Sequence, residues 1–263
     1  MAGNLIFMVE CYSLESSNRS MKQNKYDEPE FFAEYSRLPR SIHGQAAGLE
    51  WAKFRALLPD LRNKRVLDLG CGFGWHCRYA REQGALTIVG VDLSEKMLER
   101  ARVTTPGPGI EYCLCAIEDI DFSAGEFDIV ISSLALHYVE AFDLVCRKVN
   151  HCLAPNSLFL FSVEHPIFTA LPAQDWYYGP AGERLHWPVD NYQEEGRRLT
   201  NWLANNVIKY HRTLATYVNT VIESGFRMVR LEEPKPAPEL TDPAEKDQSR
   251  RPAFLVIAAV KDK

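Results

Sequence analysis

The sequence predicts an α/β fold, with parallel strands alternating with helices around one core, and three observations lead there. The run Val66-Leu67-Asp68-Leu69 is apolar without strict alternation, as a strand buried on both faces requires. It ends in Gly70-Cys71-Gly72-Phe73-Gly74, after which Trp75, Tyr79 and Ala80 follow a helical pattern. Strand, glycine turn, helix is the arrangement that turns backbone N–H groups and the positive end of a helix toward a ligand. A second apolar run, Thr87-Ile88-Val89-Gly90-Val91, closes on Asp92. The chain has 263 residues, 46% of them hydrophobic, enough for one sizeable core and commonly a single domain.

The glycine spacing narrows the ligand. A dinucleotide fingerprint is G-x-G-x-x-G, but the third-glycine position here holds Trp75, so the pattern is G-x-G-x-G with Asp68 two residues before it. Glycines let a cofactor approach the backbone where a Cβ would collide. A carboxylate about 20 residues past such a turn, at a strand end, is placed to accept hydrogen bonds from both ribose hydroxyls, which is the role expected of Asp92. Asp68 inside the motif and the lack of a pyrophosphate turn favour a nucleoside carrying an amino-acid tail over a dinucleotide.

Four segments in order, VLDLGCGFG, VDLSEKML, AIEDIDF and FDIVISSLALHYV, resemble the class I S-adenosylmethionine-dependent methyltransferases of the type-11-like small-molecule group. The resemblance runs over residues 64–161. It implies a Rossmann-like sheet of seven strands, one of them antiparallel, with S-adenosylmethionine across the carboxyl ends and S-adenosylhomocysteine as product. It assigns to the cofactor Asp68, Gly70, Cys71, Gly72 and Gly74 from the first segment, and Asp92, Leu93 and Met97 from the second. Ala116, Ile117 and Glu118 would edge the adenine, and Ser133 and Leu134 would border the methionine part. Many relatives carry an Asp where this chain has Ala116, leaving Glu118 or Asp119 as substitutes.

Composition excludes several other classes. A formal net charge of −5 offers no electrostatic case for nucleic acid or an anionic membrane. No apolar run is long enough to cross a bilayer. Seven cysteines without a C-x-x-C pair fit buried thiols in a reducing cytoplasm, not a disulfide framework or a zinc site. Metal-ligand spacing, a G-x-S-x-G elbow and a P-loop lysine are all lacking. The partner expected is therefore a small molecule.

Taken in order, residues 1–20 read as an extension without a function: Asn4 to Val9 is apolar but has no basic segment before it and no cleavage site after it, so no signal peptide is expected. Residues 21–263 then form the single domain. Between 29 and 59 the apolar spacing is helical, with Leu49, Trp51, Phe54, Leu57 and Leu58 a core patch. Residues 35–41 resemble the N-terminal cover that relatives fold over the cofactor, with Arg40 facing either the methionine carboxylate or an acidic substrate, or simply solvent. Ser94 is a good N-cap for a helix bearing Met97, Leu98 and Ala101, which Pro106-Gly107-Pro108-Gly109 stops. The third strand is expected at 110–115, the fourth at 127–132, a helix at 142–153 and the fifth strand at 157–163.

The next segment, about 164–210, is dense in Trp176, Tyr177, Tyr178, His186, Trp187, Tyr192 and Trp202 and lacks a sheet pattern. So long a loop leaving a cofactor edge reads as an aromatic-rich substrate cap. Lys209 to Thr213 is read as opening the helix of Leu214, Tyr217, Val218, Val221 and Ile222; strands six and seven follow at 227–231 and 254–260. The run 234–252 is either a lid or mobile.

Methyl transfer from a sulfonium is an in-line displacement, so alignment and water exclusion are the main demands. A base is needed only for a protonated acceptor, and His137, His165 and His211 are the candidates, with Glu164 a carboxylate alternative. At least two of His137, His165, Trp187 and His211 should ring the chamber. Two other readings stand beside methyl transfer: a cofactor-binding regulator without turnover, and a nucleotide-dependent oxidoreductase.

Overall fold

Both faces of the central sheet are apolar, which is why helices cover both. The computed structural model describes residues 22–44, 48–236 and 247–263. The extension at 1–20 and the middle of the 234–252 run lie outside the described residues. Three short helices, α1 (Pro29–Ser36), α2 (Pro39–His43) and α3 (Trp51–Leu57), precede the sheet. Two of them carry Pro at their first position, where its missing N–H costs nothing.

Strands and helices then alternate: β1 (Arg65–Leu69), α4 (Trp75–Glu82), β2 (Thr87–Asp92), α5 (Glu95–Thr104) and β3 (Ile110–Leu114). The second half runs β4 (Phe127–Ser133), α6 (Phe142–Cys152) and β5 (Leu153–Glu164). The fifth strand starts earlier than Asn156 would suggest, because that residue takes φ 58° within the strand in place of a turn before it.

In β1, Leu67 and Leu69 join one core with Val89, Val91, Val130, Phe159 and Phe161, while Val66 joins the other with Ile88, Ile129 and Leu160. That is the period-two alternation of a strand covered on both sides. Full burial of each such side chain contributes about 1.5–3 kcal/mol before entropy is charged.

Residues 164–210 depart from expectation. They hold α7 (Pro166–Thr169) and two hairpins, β6 (Tyr177–Tyr178) with β7 (Arg184–His186) and β8 (Gly196–Trp202) with β9 (Ala204–His211). The helix expected from Lys209 begins later, as α8 (Leu214–Glu223), N-capped by Thr213, whose hydroxyl accepts from Thr216 N–H. Lys209 belongs to β9 because it pairs with Arg198 across the hairpin. The inward side chains there are Val207, Lys209 and His211, an alternation disguised by a buried cation.

After β10 (Phe226–Glu232) comes β11 (Phe254–Lys261). The seven-stranded order is β10-β11-β5-β4-β1-β2-β3, and β11 alone runs against its neighbours. Strand order reverses between β1 and β4, and open α/β sheets bind ligands at the carboxyl ends of such a switch. Ser132 Oγ ties the two strands by donating to Leu69 O at 2.8 Å.

Candidate functional site

The turn after β1 is folded by its own backbone. Gly70 N–H and Cys71 N–H both donate to Val91 O, at 2.8 and 2.9 Å, and Gly74 N–H donates back to Cys71 O. Gly70 has φ 74°, and a Cβ there would lie 2.4 Å from that of Ala135, just past β4. The β1 and β4 exits are thus in contact. Gly72 differs: at φ 52° a Cβ would meet nothing within 4 Å, so its face opens onto space.

Asp92, at the end of β2, faces that turn. Its Oδ2 accepts Gly72 N–H at 2.8 Å and its Oδ1 accepts Ser94 N–H at 2.9 Å. A carboxylate has roughly four acceptor sites, so about two remain for a ligand. Burial pushes this carboxyl up to about 6, although the Ser94 and Gly72 amides pull the other way. Asp68 lies beneath the turn, 1% exposed, taking only the Cys77 thiol at 3.3 Å on Oδ2. Its Oδ1 has no partner among the described residues, and burial pushes the carboxyl up to about 7.

Gly70, Gly72 and Asp92 line one cavity of about 1460 Å³, above the roughly 300–1,000 Å³ common for a single small-molecule site. Leu93, Met97, Ala116, Ile117, Glu118, Ser133 and Leu134 line it too. Asp68, Cys71 and Gly74 do not; they are the supporting layer of the turn. Leu134 adopts φ 54°, held there by N–H donation to Ser162 O at 2.9 Å. A left-handed leucine costs roughly 1–2 kcal/mol, and such strain clusters at ligand sites. Gly72's open face, the spare acceptors of Asp92 and the apolar Leu93, Met97 and Ile117 together fit a nucleoside with its ribose on the carboxylate.

The N-terminal segment closes one side. Asp27 accepts from Ser94 Oγ at 2.5 Å, and Gln23 Oε1 accepts Ile208 N–H at 2.7 Å, so the segment bridges α5 and β9. Tyr26, Tyr35 and Tyr138 line the cavity as edge-on rings, with Tyr26 5.2 Å from Tyr35 and 6.3 Å from Tyr138. Arg40 also lines it, but its guanidinium pairs with the buried Glu50 at 2.6 Å.

Beyond the glycine end, the wall passes into the cap through His137, Glu164, Phe168, Gln174 and Trp202. Here lies a buried polar cluster that sequence reasoning named only in part. Lys209, 1% exposed, donates to Glu164 Oε1 at 2.6 Å and to Gln174 Oε1 at 2.9 Å, and Gln174 Nε2 donates to Glu164 Oε2 at 2.9 Å. Burial alone would raise the Glu164 carboxyl; His137 where it is protonated at low pH, the Lys209 ammonium and the Gln174 amide more than offset it and hold it below its ordinary value. His137 is pushed down to about 4, chiefly by burial, so its imidazole is neutral. Its Nδ1 accepts Glu164 N–H at 3.4 Å, which leaves the proton on Nε2.

Of the four side chains expected to ring the chamber, His137 alone lines it. His165 caps α7 through Nδ1 and meets Glu233 through Nε2 at 3.0 Å. His211 spends Nδ1 on Thr169 Oγ1 at 2.8 Å and Nε2 on Tyr192 O at 3.0 Å. Trp187 stacks on Phe168 and donates from its indole N–H to Ile167 O. The only trace of Lys209 in the sequence is its place between Val207 and His211 at period two, which its charge disguises. Tyr26 and Gln174 had no such signal.

The methyltransferase domain family matches residues 67–161. A solved Listeria monocytogenes protein assigned to the S-adenosylmethionine-dependent methyltransferases is 49% identical, with TM-score 0.80, over 84% of this chain and 100% of that one. An S-adenosylmethionine-dependent methyltransferase from Mesorhizobium loti is 43% identical, with TM-score 0.77, over 83% of this chain and all of its own. An uncharacterized Haemophilus influenzae protein is 35% identical over 91% of this chain and 98% of that one. The match to a ubiquinone biosynthesis O-methyltransferase of Neisseria meningitidis is partial, 32% identical over 39% of this chain and 45% of that enzyme.

Proposed function

The chain belongs to the S-adenosylmethionine-dependent methyltransferases, and on that premise we propose that it methylates a small-molecule acceptor held between the glycine turn and the cap. One observation carries the reading. A single cavity runs from Gly72 and Asp92 to His137, Glu164 and Trp202, and its volume leaves room for an acceptor beside the cofactor. The partial likeness to a ubiquinone biosynthesis O-methyltransferase supports a small-molecule acceptor. We read residues 21–263 as one domain with 164–210 as its cap, working in the cytoplasm, where thiols such as the buried Cys71, Cys77, Cys146 and Cys152 would stay reduced.

When bound, S-adenosylmethionine supplies a methyl group on an already activated sulfonium. The chain's own residues then have three tasks. Asp92, Gly70, Gly72, Leu93 and Met97 bind the nucleoside, with Ala116, Ile117 and Glu118 at its base and Ser133 and Leu134 along its tail; Asp68, Cys71 and Gly74 keep the turn in shape. Tyr26, Tyr35 and Tyr138 offer electron-rich rings to positive charge and exclude water. His137, in the tautomer its Nδ1 contact selects, donates from Nε2 to orient the acceptor. Glu164, ionised, is placed to take a proton where the acceptor carries one. His165 and His211, with both nitrogens spent, position α7 and β9 instead of meeting the acceptor.

Calorimetry with S-adenosylhomocysteine, S-adenosylmethionine and NAD tests the cofactor assignment, and a methyl-transfer screen over small hydroxyl, amine and carboxylate compounds tests the acceptor. Binding of the two nucleosides but not NAD is expected. Binding of NAD with neither nucleoside would overturn the reading, and turnover only on macromolecules would overturn the small-molecule acceptor.

A further inference from the structure

Arg251 is a buried arginine with two guanidinium nitrogens lacking partners among the described residues. It is 9% exposed and lines the cavity just before β11, three residues ahead of Phe254, which pairs with Glu164. Its guanidinium lies 4.0 Å from the Trp187 ring centroid, 4.6 Å from Phe168 and 5.5 Å from Trp176. Aromatic rings stabilise a cation through its faces, by up to about 2 kcal/mol where water is excluded, but accept none of its in-plane N–H bonds. Nε and Nη1 have no hydrogen-bond partner among the described residues. Burial, reinforced by the charge of Arg184, pushes the group down to about 10, so the fold holds this cation at a cost.

Other buried arginines keep at least one strong partner, although Arg212 Nη1 also has none among the described residues. Arg40 faces Glu50, and Arg212 donates from Nη2 to Val139 O and Glu140 O, both at 2.6 Å. Lys209 likewise has Glu164 and Gln174. A guanidinium over aromatic rings, with Nε and Nη1 lacking partners among the described residues, can pair either of them with Nη2 to give a planar or tetrahedral oxyanion two parallel N–H bonds.

We propose that Arg251 anchors an anionic group, carboxylate or phosphate, of the methyl acceptor at the cap end of the cavity. This deepens the proposed function and rests on it for the acceptor's presence. Phe168 and Trp202, on the same wall, suit an apolar or aromatic body attached to that anion. The anion completes the hydrogen bonding of Arg251 and fixes the acceptor's far end, so that the reacting atom is held in register with the methyl group. An acceptor lacking the charge would leave the buried edge unpaired, and specificity follows from that penalty.

The test uses the full chain saturated with S-adenosylhomocysteine, titrated with benzoate, phenyl phosphate and the neutral benzamide by ligand-observed NMR. At least one anion should bind tenfold or more tighter than benzamide, and the winning anion separates carboxylate from phosphate. Arg251→Gln should remove that preference, and Arg251→Lys should restore part of it, while S-adenosylhomocysteine affinity stays within twofold. Benzamide matching both anions in the unaltered protein overturns the proposal without reference to any variant. So does full anion affinity in a folded Arg251→Gln protein. Failure to bind S-adenosylhomocysteine at the outset would instead strike the cofactor assignment.

Discussion

Asp92→Asn is the sharpest perturbation of the nucleoside end. The carboxylate receives Gly72 N–H on one oxygen and Ser94 N–H on the other, at 2.8 and 2.9 Å, and keeps about two acceptor sites for ribose hydroxyls. Asparagine offers one oxygen. Its amide nitrogen must face one of those two backbone donors, which also tilts the side chain. Charge-assisted hydrogen bonds contribute about 1.5–3 kcal/mol each, and one oxygen survives, so we expect a loss of about 2 kcal/mol in S-adenosylhomocysteine binding, roughly thirtyfold in Kd. A pH series adds a second readout. The free carboxyl sits at about 6, and ribose hydroxyls bind its ionised form, so affinity should rise from pH 5 to pH 7 and then level. The variant should lack that rise. Isothermal titration calorimetry measures both, with a melting curve as the folding control. A Kd within threefold of the unaltered protein, or an identical pH profile, would refute the ribose role.

Three further outcomes are expected. Asp68 has a carboxyl raised from 3.8 to about 7, so the fold favours its protonated form and loses stability as pH rises through that interval, by about 4 kcal/mol at the ceiling. Asp68→Asn should therefore gain in Tm at pH 8 relative to pH 5, and melting curves offset equally at both pH values would rule out the assignment. Gly70→Ala places a methyl 2.4 Å from Ala135 in a left-handed backbone, and should cost about 2–4 kcal/mol from overpacking and backbone strain together, read by urea unfolding. Lys209→Met strands the buried Glu164 and should cost about 3–5 kcal/mol at neutral pH. Glu164 is held below its ordinary 4.5, so its share is present above that value and lost as pH falls through the lowered one. Adding Glu164→Gln should recover part of the Lys209→Met loss, and simple additivity of the two would contradict the pairing.

The turn from Gly70 to Gly74 is chemistry written in neighbouring residues, since strand, glycines and helix start all depend on short-range sterics. The place of Asp92 at the end of β2, facing the turn, was legible because the apolar run before it stops there. The cap was visible as an aromatic excess but not as two hairpins. β8 and β9 pair with each other in a register that a buried Lys209 hides from any hydrophobic count. The histidines show the same limit: sequence brings three of them near the carboxyl edge, and packing spends both nitrogens of His165 and His211 on the protein itself.

By itself, then, the sequence determined the glycine turn from Gly70 to Gly74, because its determinants lie within a few residues of one another and act through backbone geometry. Tertiary structure alone decided the cap end of the cavity. It joined Glu164 to Lys209 across 45 residues and set Arg251 among Phe168, Trp176 and Trp187, with Nε and Nη1 lacking partners among the described residues. Desolvation sets the charge state and the needs of those groups, and desolvation is a property of the packed neighbourhood, not of the chain's local order.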